Sequence, residues 1–164
     1  GEIKIKCTAP QKKIALRIPS WCQNFSLNVD YTLKNGYACI EMNGSIEIEL
    51  KLDMPVVFIK ANKRVHENVG RIAVMRGPVV YCGEAVDNGN DLRCIEIDTN
   101  APAKIEEGEF ILPSVTLQAF RQKDDDKLYS PVGDDYEPCT LQLIPYYAFA
   151  NRGESEMLVW FLKK

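Results

Sequence analysis

The 164-residue sequence contains a single histidine, His66, so no site built from two histidines can form within it. It has no apolar run near the roughly 20 residues that a membrane helix needs, and no membrane partner is expected. Positive charge is not in excess: 20 Lys and Arg stand against 23 Asp and Glu, a formal net charge of −3. Phosphate-driven nucleic-acid binding usually carries the opposite sign, so nucleic acid is not an expected partner either. There is no G-x-x-x-x-G-K-[ST], no G-x-G-x-x-G and no G-x-S-x-G, which leaves nucleotide cradles and hydrolase elbows without a signal. The six cysteines, at 7, 22, 39, 82, 94 and 139, include no C-x-x-C pair, against a zinc ribbon or thioredoxin-like motif. Cys7, Cys39, Cys82 and Cys94 lie in strand-like runs, where cysteine behaves as a small buried hydrophobe. Mostly free thiols are therefore expected, which favours a cytoplasmic setting.

What is present is an ordinary globular composition, 46% hydrophobic and 26% charged, enough to bury a core. Strand signals dominate. Ile3, Ile5 and Cys7 alternate with charged residues, as do Ile14, Leu16 and Ile18, then Phe25, Leu27 and Val29. Residues 46–52 read I-E-I-E-L-K-L, strict period two, the pattern of an antiparallel sheet with one packed and one wet face. Asn35-Gly36 and Asn43-Gly44 both read as hairpin turns, since both residue types tolerate positive φ. Further strands are expected over 56–61, 71–75, 79–82, 92–97, 105–112, 115–120 and around Leu141 and Leu143. One helical turn is an alternative around 69–75. Residues 157–162 are apolar on both faces and read as one strand covered on both sides. Many short strands with regular turns predict an all-β, antiparallel β-sandwich. The turn cluster Asp87-Asn88-Gly89-Asn90 suggests two small packed sandwich domains, 1–86 and 87–164, with the last strand expected to pack on the first domain. The chain opens on Gly1 and runs straight into a strand, which reads as a piece of a longer protein with Gly1 a scar of expression.

Candidate chemistry is sparse. His66 lies in a charged connection and reads as a solvated loop residue rather than the partner of a thiol nucleophile. The run Asp124-Asp125-Asp126 lacks the alternating spacing of a calcium loop and, with Asp134-Asp135, reads as solvated; no metal site is expected. Glu41, Glu47, Glu49, Glu84, Glu154 and Glu156 are available as glycosidase carboxylates, but nothing singles out a pair, and surface charge is the simpler reading. Trp21, Tyr146 and Tyr147 lie at strand ends. They could stack on a sugar ring or serve in packing and interdomain contact. Trp160 reads as buried.

Three stretches carry a family resemblance: Leu16-Arg17-Ile18-Pro19-Ser20-Trp21, residues 70–82 (G-R-I-A-V-M-R-G-P-V-V-Y-C), and residues 144–153 (I-P-Y-Y-A-F-A-N-R-G). Together, in this order, they resemble the C-terminal part of the β-L-arabinofuranosidase family, glycoside hydrolase family 127 and relatives. The resemblance implies an active site of glutamates and zinc-associated cysteines on an N-terminal (α/α)-barrel outside this chain. It thus implies a non-catalytic accessory role here, with no cofactor. Neither Cys82 nor Cys94 takes a catalytic role from it. The implied partners are that catalytic barrel, in the same parent chain, and a second copy in a homodimer. Matching residues then take structural or interdomain roles: Arg17, Arg76, Gly77, Pro78, Tyr81, Asn151, Arg152 and Gly153; Trp160, outside these stretches, is given a structural or interdomain role as well. Gly77-Pro78 reads as a forced turn, Asn151-Arg152-Gly153 as a tight one, and Arg76 and Arg152 as planar donor forks where segments converge.

Overall fold

The computed structural model describes residues 1–164 except Glu109, Asp125, Asp126 and Asp134. The alternating runs become strands throughout, and the chain divides into two compact units, Gly1–Pro55 and Val56–Lys164. The antiparallel all-β sandwich class read from the sequence is the class observed.

In the first unit, β1 (Glu2–Arg17), β2 (Phe25–Leu27) and β3 (Thr32–Lys34) all pair antiparallel with one long strand, β4 (Tyr37–Leu52). The β1–β4 register slips between Ala9 and Lys12, where β1 holds one residue more than β4. That bulge explains a feature of the sequence. The inward residues of β1 are odd-numbered before it (Ile5, Cys7) and even-numbered after it (Ile14, Leu16), as one inserted residue requires. Asn35-Gly36 makes the expected two-residue hairpin between β3 and β4, with φ of +51° and +78°. Asn43-Gly44 does not turn. It lies inside β4, where Gly44 takes φ +92° opposite Ala9 beside the bulge. The ladder continues on both sides, so the glycine's freedom bends a strand rather than ending it. Cys22, Leu50 and Leu52 form the small core here, with Trp21, Phe25 and Leu27 packed against them.

The second unit contains β5 (Val56–Lys60), β6 (Arg71–Arg76), β7 (Val79–Glu84), the helical turn α1 (Ala85–Asn88), β8 (Ile95–Ile97), β9 (Lys104–Glu106), β10 (Ser114–Gln122), β11 (Tyr136–Pro145), β12 (Met157–Leu158) and β13 (Phe161–Lys163). Pairings run β6–β13–β8–β10–β11–β7, and β7 pairs back to β6, so the ladder closes on itself. All of these contacts are antiparallel except β13–β8. Each strand of the ring sends its inward residues to one core: Ile72 and Val74, Tyr81, Ile95 and Ile97, Val115 and Leu117, Leu141 and Leu143, and Phe161. At about 25 cal/mol per Å² of apolar surface, this shared core is the main stabilising term of the unit.

Several expectations change. The two units part at Pro55–Val56, not at 86/87. Asp87 and Asn88 end a helical turn inside the second unit, between strands of one ladder. Residues 157–162 are not one strand. β12 pairs with β7, whereas β13 pairs with β6 and β8, and the chain shifts between partners at Val159-Trp160. Trp160 is accordingly half-buried, its carbonyl accepting a hydrogen bond from Arg71 at 3.0 Å. Among the described residues of the 105–112 stretch only β9 is strand, and the helical turn considered at 69–75 is instead a 3-10 turn at His66–Asn68. The aspartate runs at 124–126 and 134–135 fall largely outside the described residues.

Candidate functional site

The second unit holds a cluster that alternation alone would not place. β7 ends in Cys82, Gly83 and Glu84, all buried, with Glu84 only 1% exposed. A lone carboxylate in that position would be strongly unfavourable. It is met by Arg152, whose guanidinium donates to Glu84 Oε2 at 2.6 Å and to both carboxylate oxygens of Asp87 at 2.8 and 2.5 Å. Glu84 Oε1 accepts the backbone N–H of Ala150 at 2.9 Å, and Ala150 sits in the left-handed region at φ +62°. The guanidinium also lies over the Phe110 ring, 5.5 Å from its centroid. Hydrogen bonding to Asp87, then to Glu84, raises the Arg152 pKa against the opposing effect of burial, so the charge is permanent. One clasp thus ties the end of β7, the turn α1 and the 146–153 segment together.

A second polar hub supports it. Asn88 Nδ2 donates to the carbonyls of Glu84 and Gln142 at 2.8 and 2.9 Å, and Gln142 N–H donates to Asn88 Oδ1 at 2.7 Å. Arg121 caps the end of α1 through the carbonyls of Asn88 and Asn90. With every partner charged or hydrogen-bonded, Glu84 and Asp87 are occupied as acceptors. The arrangement fixes a backbone; it does not resemble a carboxylate poised to give or take a proton.

Beside the clasp, the chain leaves β11 through a 3-10 turn, Tyr146–Ala148, whose rings point outward. Tyr146 and Tyr147 are about half-exposed, and Tyr146 stacks on Phe149 with centroids 6.1 Å apart and ring planes 21° apart. The Tyr147 hydroxyl accepts the N–H of Leu112 at 3.1 Å, and the preceding residue, Ile111, is 93% exposed. Ala148, between Tyr147 and Phe149 in the chain, packs inward on Cys82 and Ile144.

The other residues singled out from the sequence are dispersed. Trp21 is half-buried on the core of the first unit, and Arg17 is exposed at the end of β1. Gly77-Pro78 forms the two-residue loop between β6 and β7, with Gly77 buried at φ +57°, the first-position conformation that favours glycine. Tyr81 is fully buried and donates to the Pro113 carbonyl at 2.9 Å; burial raises its pKa, opposed by Arg76. Arg76 Nε is buried with no hydrogen bond among the described residues. Asn151 is exposed, and Gly153 takes φ +107°. Glu84 corrects an expectation: it is buried and ion-paired, not surface charge. Its partner lies 68 residues away, a separation at which no local pattern links them.

All six cysteines are free. Burial, then the nearby Glu84, pushes the Cys82 thiol up to about 12, the wrong direction for a thiolate ligand or nucleophile. Among the described residues no group of three or more His, Cys, Asp or Glu gathers as a metal site. No helix of the described residues is long and apolar enough to cross a membrane.

Residues 56–162 match the glycoside hydrolase family 127 C-terminal domain, beginning at the first residue of the second unit, and the chain belongs to this family. Among individual relatives, it is 39% identical to the non-reducing end β-L-arabinofuranosidase of Bifidobacterium longum subsp. longum, across 90% of this chain and 25% of that protein. It superposes on the family 127 β-L-arabinofuranosidase of Geobacillus stearothermophilus T6 with a TM-score of 0.87 at 34% identity, covering 100% of this chain and 29% of that one. A further family 127 β-arabinofuranosidase gives a TM-score of 0.81 at 28% identity, covering 100% of this chain and 30% of the other. The chain therefore spans about a quarter to a third of the relatives it matches.

Proposed function

We propose that this chain is the non-catalytic C-terminal β-sandwich region of a family 127 enzyme that acts on β-L-arabinofuranosides. Its role is to scaffold a catalytic (α/α)-barrel carried by the same parent chain. The observation that carries this reading is the match of residues 56–162 to the family's C-terminal domain, in a chain covering only 25–30% of its relatives. The clasp supports it, because the buried carboxylate of the second unit is committed to Arg152. No cofactor is assigned to this stretch. The parent protein and the 164-residue chain are assayed on an aryl β-L-arabinofuranoside. Hydrolysis by the parent alone is expected; hydrolysis by the repurified chain refutes the reading. Sedimentation of the parent reads whether two copies associate through this region.

A carbohydrate-binding module is the second reading, favoured by the exposed stacked pair Tyr146 and Phe149. Its signature is saturable binding of arabino-oligosaccharides by the 164-residue chain at millimolar sugar, lost in Tyr146→Ala.

A further inference from the structure

We propose that Asn35 is a site of spontaneous deamidation, and that the polar hub at α1 withholds the same reaction from Asn88.

The sequence has three Asn-Gly steps, Asn35-Gly36, Asn43-Gly44 and Asn88-Gly89. Such a step carries its own nucleophile. The glycine's backbone nitrogen attacks the asparagine Cγ and gives up its proton, and the new C–N bond closes a five-membered succinimide. The bond from Cγ to the side-chain nitrogen breaks, and that nitrogen leaves as ammonia. Water, the sole co-reactant, then opens the ring at either carbonyl and leaves aspartate or isoaspartate. Asparagine is thermolabile, and a glycine after it offers no Cβ to crowd the attacking nitrogen. The three steps share this local chemistry, so the folded structure sets their relative rates.

At Asn35 both reacting groups are available. Asn35 and Gly36 are exposed in their two-residue turn, and a Cβ at Gly36 would meet nothing within 4 Å. Among the described residues neither the Asn35 side chain nor the Gly36 N–H has a hydrogen-bond partner; the Gly36 carbonyl is tied, accepting the Ile18 N–H at 2.8 Å. At Asn43 the side chain is exposed, but Gly44 sits opposite Ala9 in the ladder and must leave that pairing to react. At Asn88 the reacting atoms are all held. Nδ2 donates to the Glu84 and Gln142 carbonyls and Oδ1 accepts the Gln142 N–H, while the nucleophile, the Gly89 N–H, donates to the Ala85 carbonyl at 2.7 Å. Reaction there requires α1 to open away from β11. The lock sits where the product would do most harm. A carboxylate at position 88 could not donate to the two carbonyls, and it would add a third negative charge near Glu84 and Asp87, which share Arg152.

Ageing the folded 164-residue chain at mildly alkaline pH, with peptide mass mapping to score aspartate and isoaspartate, tests this. Conversion is expected first at Asn35, then at Asn43, and at Asn88 at least about tenfold more slowly than at Asn35. In urea, with ladder and hub gone, the three rates should converge. Equal rates at Asn35 and Asn88 in the folded chain overturn the proposal. So does an Asn88 that stays slow in urea, which assigns its protection to flanking sequence rather than to the hub. Amide hydrogen exchange reads the same two nucleophiles without waiting for the chemistry. The Gly36 N–H should exchange as an open amide and the Gly89 N–H slowly; a protected Gly36 overturns the assignment of Asn35.

Discussion

The two units carry the same kinds of charge and use them in opposite ways. In the first, lysines and glutamates line the wet face of a four-stranded sheet in cross-strand pairs: Lys4–Glu49, Lys6–Glu47 and Lys13–Glu41. In the second, a glutamate 1% exposed is answered by an arginine 23% exposed. Surface pairs of this sort contribute little, because water and salt already screen them. A buried carboxylate without its partner leaves an uncompensated charge in low dielectric. The difference teaches that the number of ion pairs says less than where each sits relative to a closed ladder.

The sharpest way to break this comparison is Arg152→Met. It strands Glu84 and should destabilise the second unit by about 3–5 kcal/mol, read from urea unfolding of the 164-residue chain. Adding Glu84→Gln should recover part of that loss, since no charge then remains to be buried. A cost under about 1 kcal/mol for the single variant would put the clasp on the same footing as the surface pairs.

A smaller effect is expected from Gly83→Ala. A Cβ built there meets the Phe161 ring at 2.9 Å and Leu143 at 3.4 Å, both in the sealed core. Overpacking should cost about 1–3 kcal/mol. Alanine at Gly36, by contrast, meets no neighbour and loses only the ease of positive φ, about 1 kcal/mol. If thermal denaturation ranks Gly36→Ala as the worse of the two, the second unit is less tightly packed than its closed ladder implies.

What could be read beforehand follows the same divide. The first unit is an open sheet whose period-two runs become strands, but Asn43-Gly44 reads as a turn and lies instead inside β4 beside the bulge, because a glycine's positive φ serves a bent strand as well as a hairpin. The second unit closes through pairings between distant segments, β13 with β8 and β7 with β11, which no local window contains. That is why 157–162 read as one strand and why 87–90 read as a boundary. The clasp was half visible. Arg152 stood out as a donor fork in a tight turn, but Glu84 looked like any strand-end glutamate, because its burial depends on where Arg152 arrives. The aromatic turn is legible as Tyr146-Tyr147, but nothing local marks Phe149 as the ring on which Tyr146 stacks.

High pH gives a milder probe. Cys82 is pushed up to about 12 from an ordinary 9.0 by burial, so the folded state holds its proton where the unfolded chain releases it. The associated stability is complete below pH 9 and is lost as pH rises toward 12. Near pH 10 the loss should be about 1 kcal/mol, measured as the difference in stability slope between the wild-type chain and Cys82→Ala. Parallel slopes would mean that water reaches the thiol.

The weakest effect should come from Lys13→Ala on the sheet of the first unit. Lys13 and Glu41 meet at 2.7 Å, yet their side chains are 80% and 79% exposed. The hydrogen bond to Lys13 lowers the Glu41 pKa from 4.5, and Glu41 raises that of Lys13 from 10.5. The sign follows in both cases: the carboxylate contribution is present above its unfolded pKa and is lost as pH falls through the folded value. The lysine contribution is present below its unfolded pKa and is lost as pH rises through the folded value. At neutral pH both are in force, so a Lys13→Ala variant tests the pair at its strongest. Solvent screening should still leave its melting temperature indistinguishable from wild type at moderate salt, with a slight loss only at low ionic strength. A clear drop at high salt would show that this pair is not screened, and would remove the distinction between the two units that Arg152→Met is designed to expose.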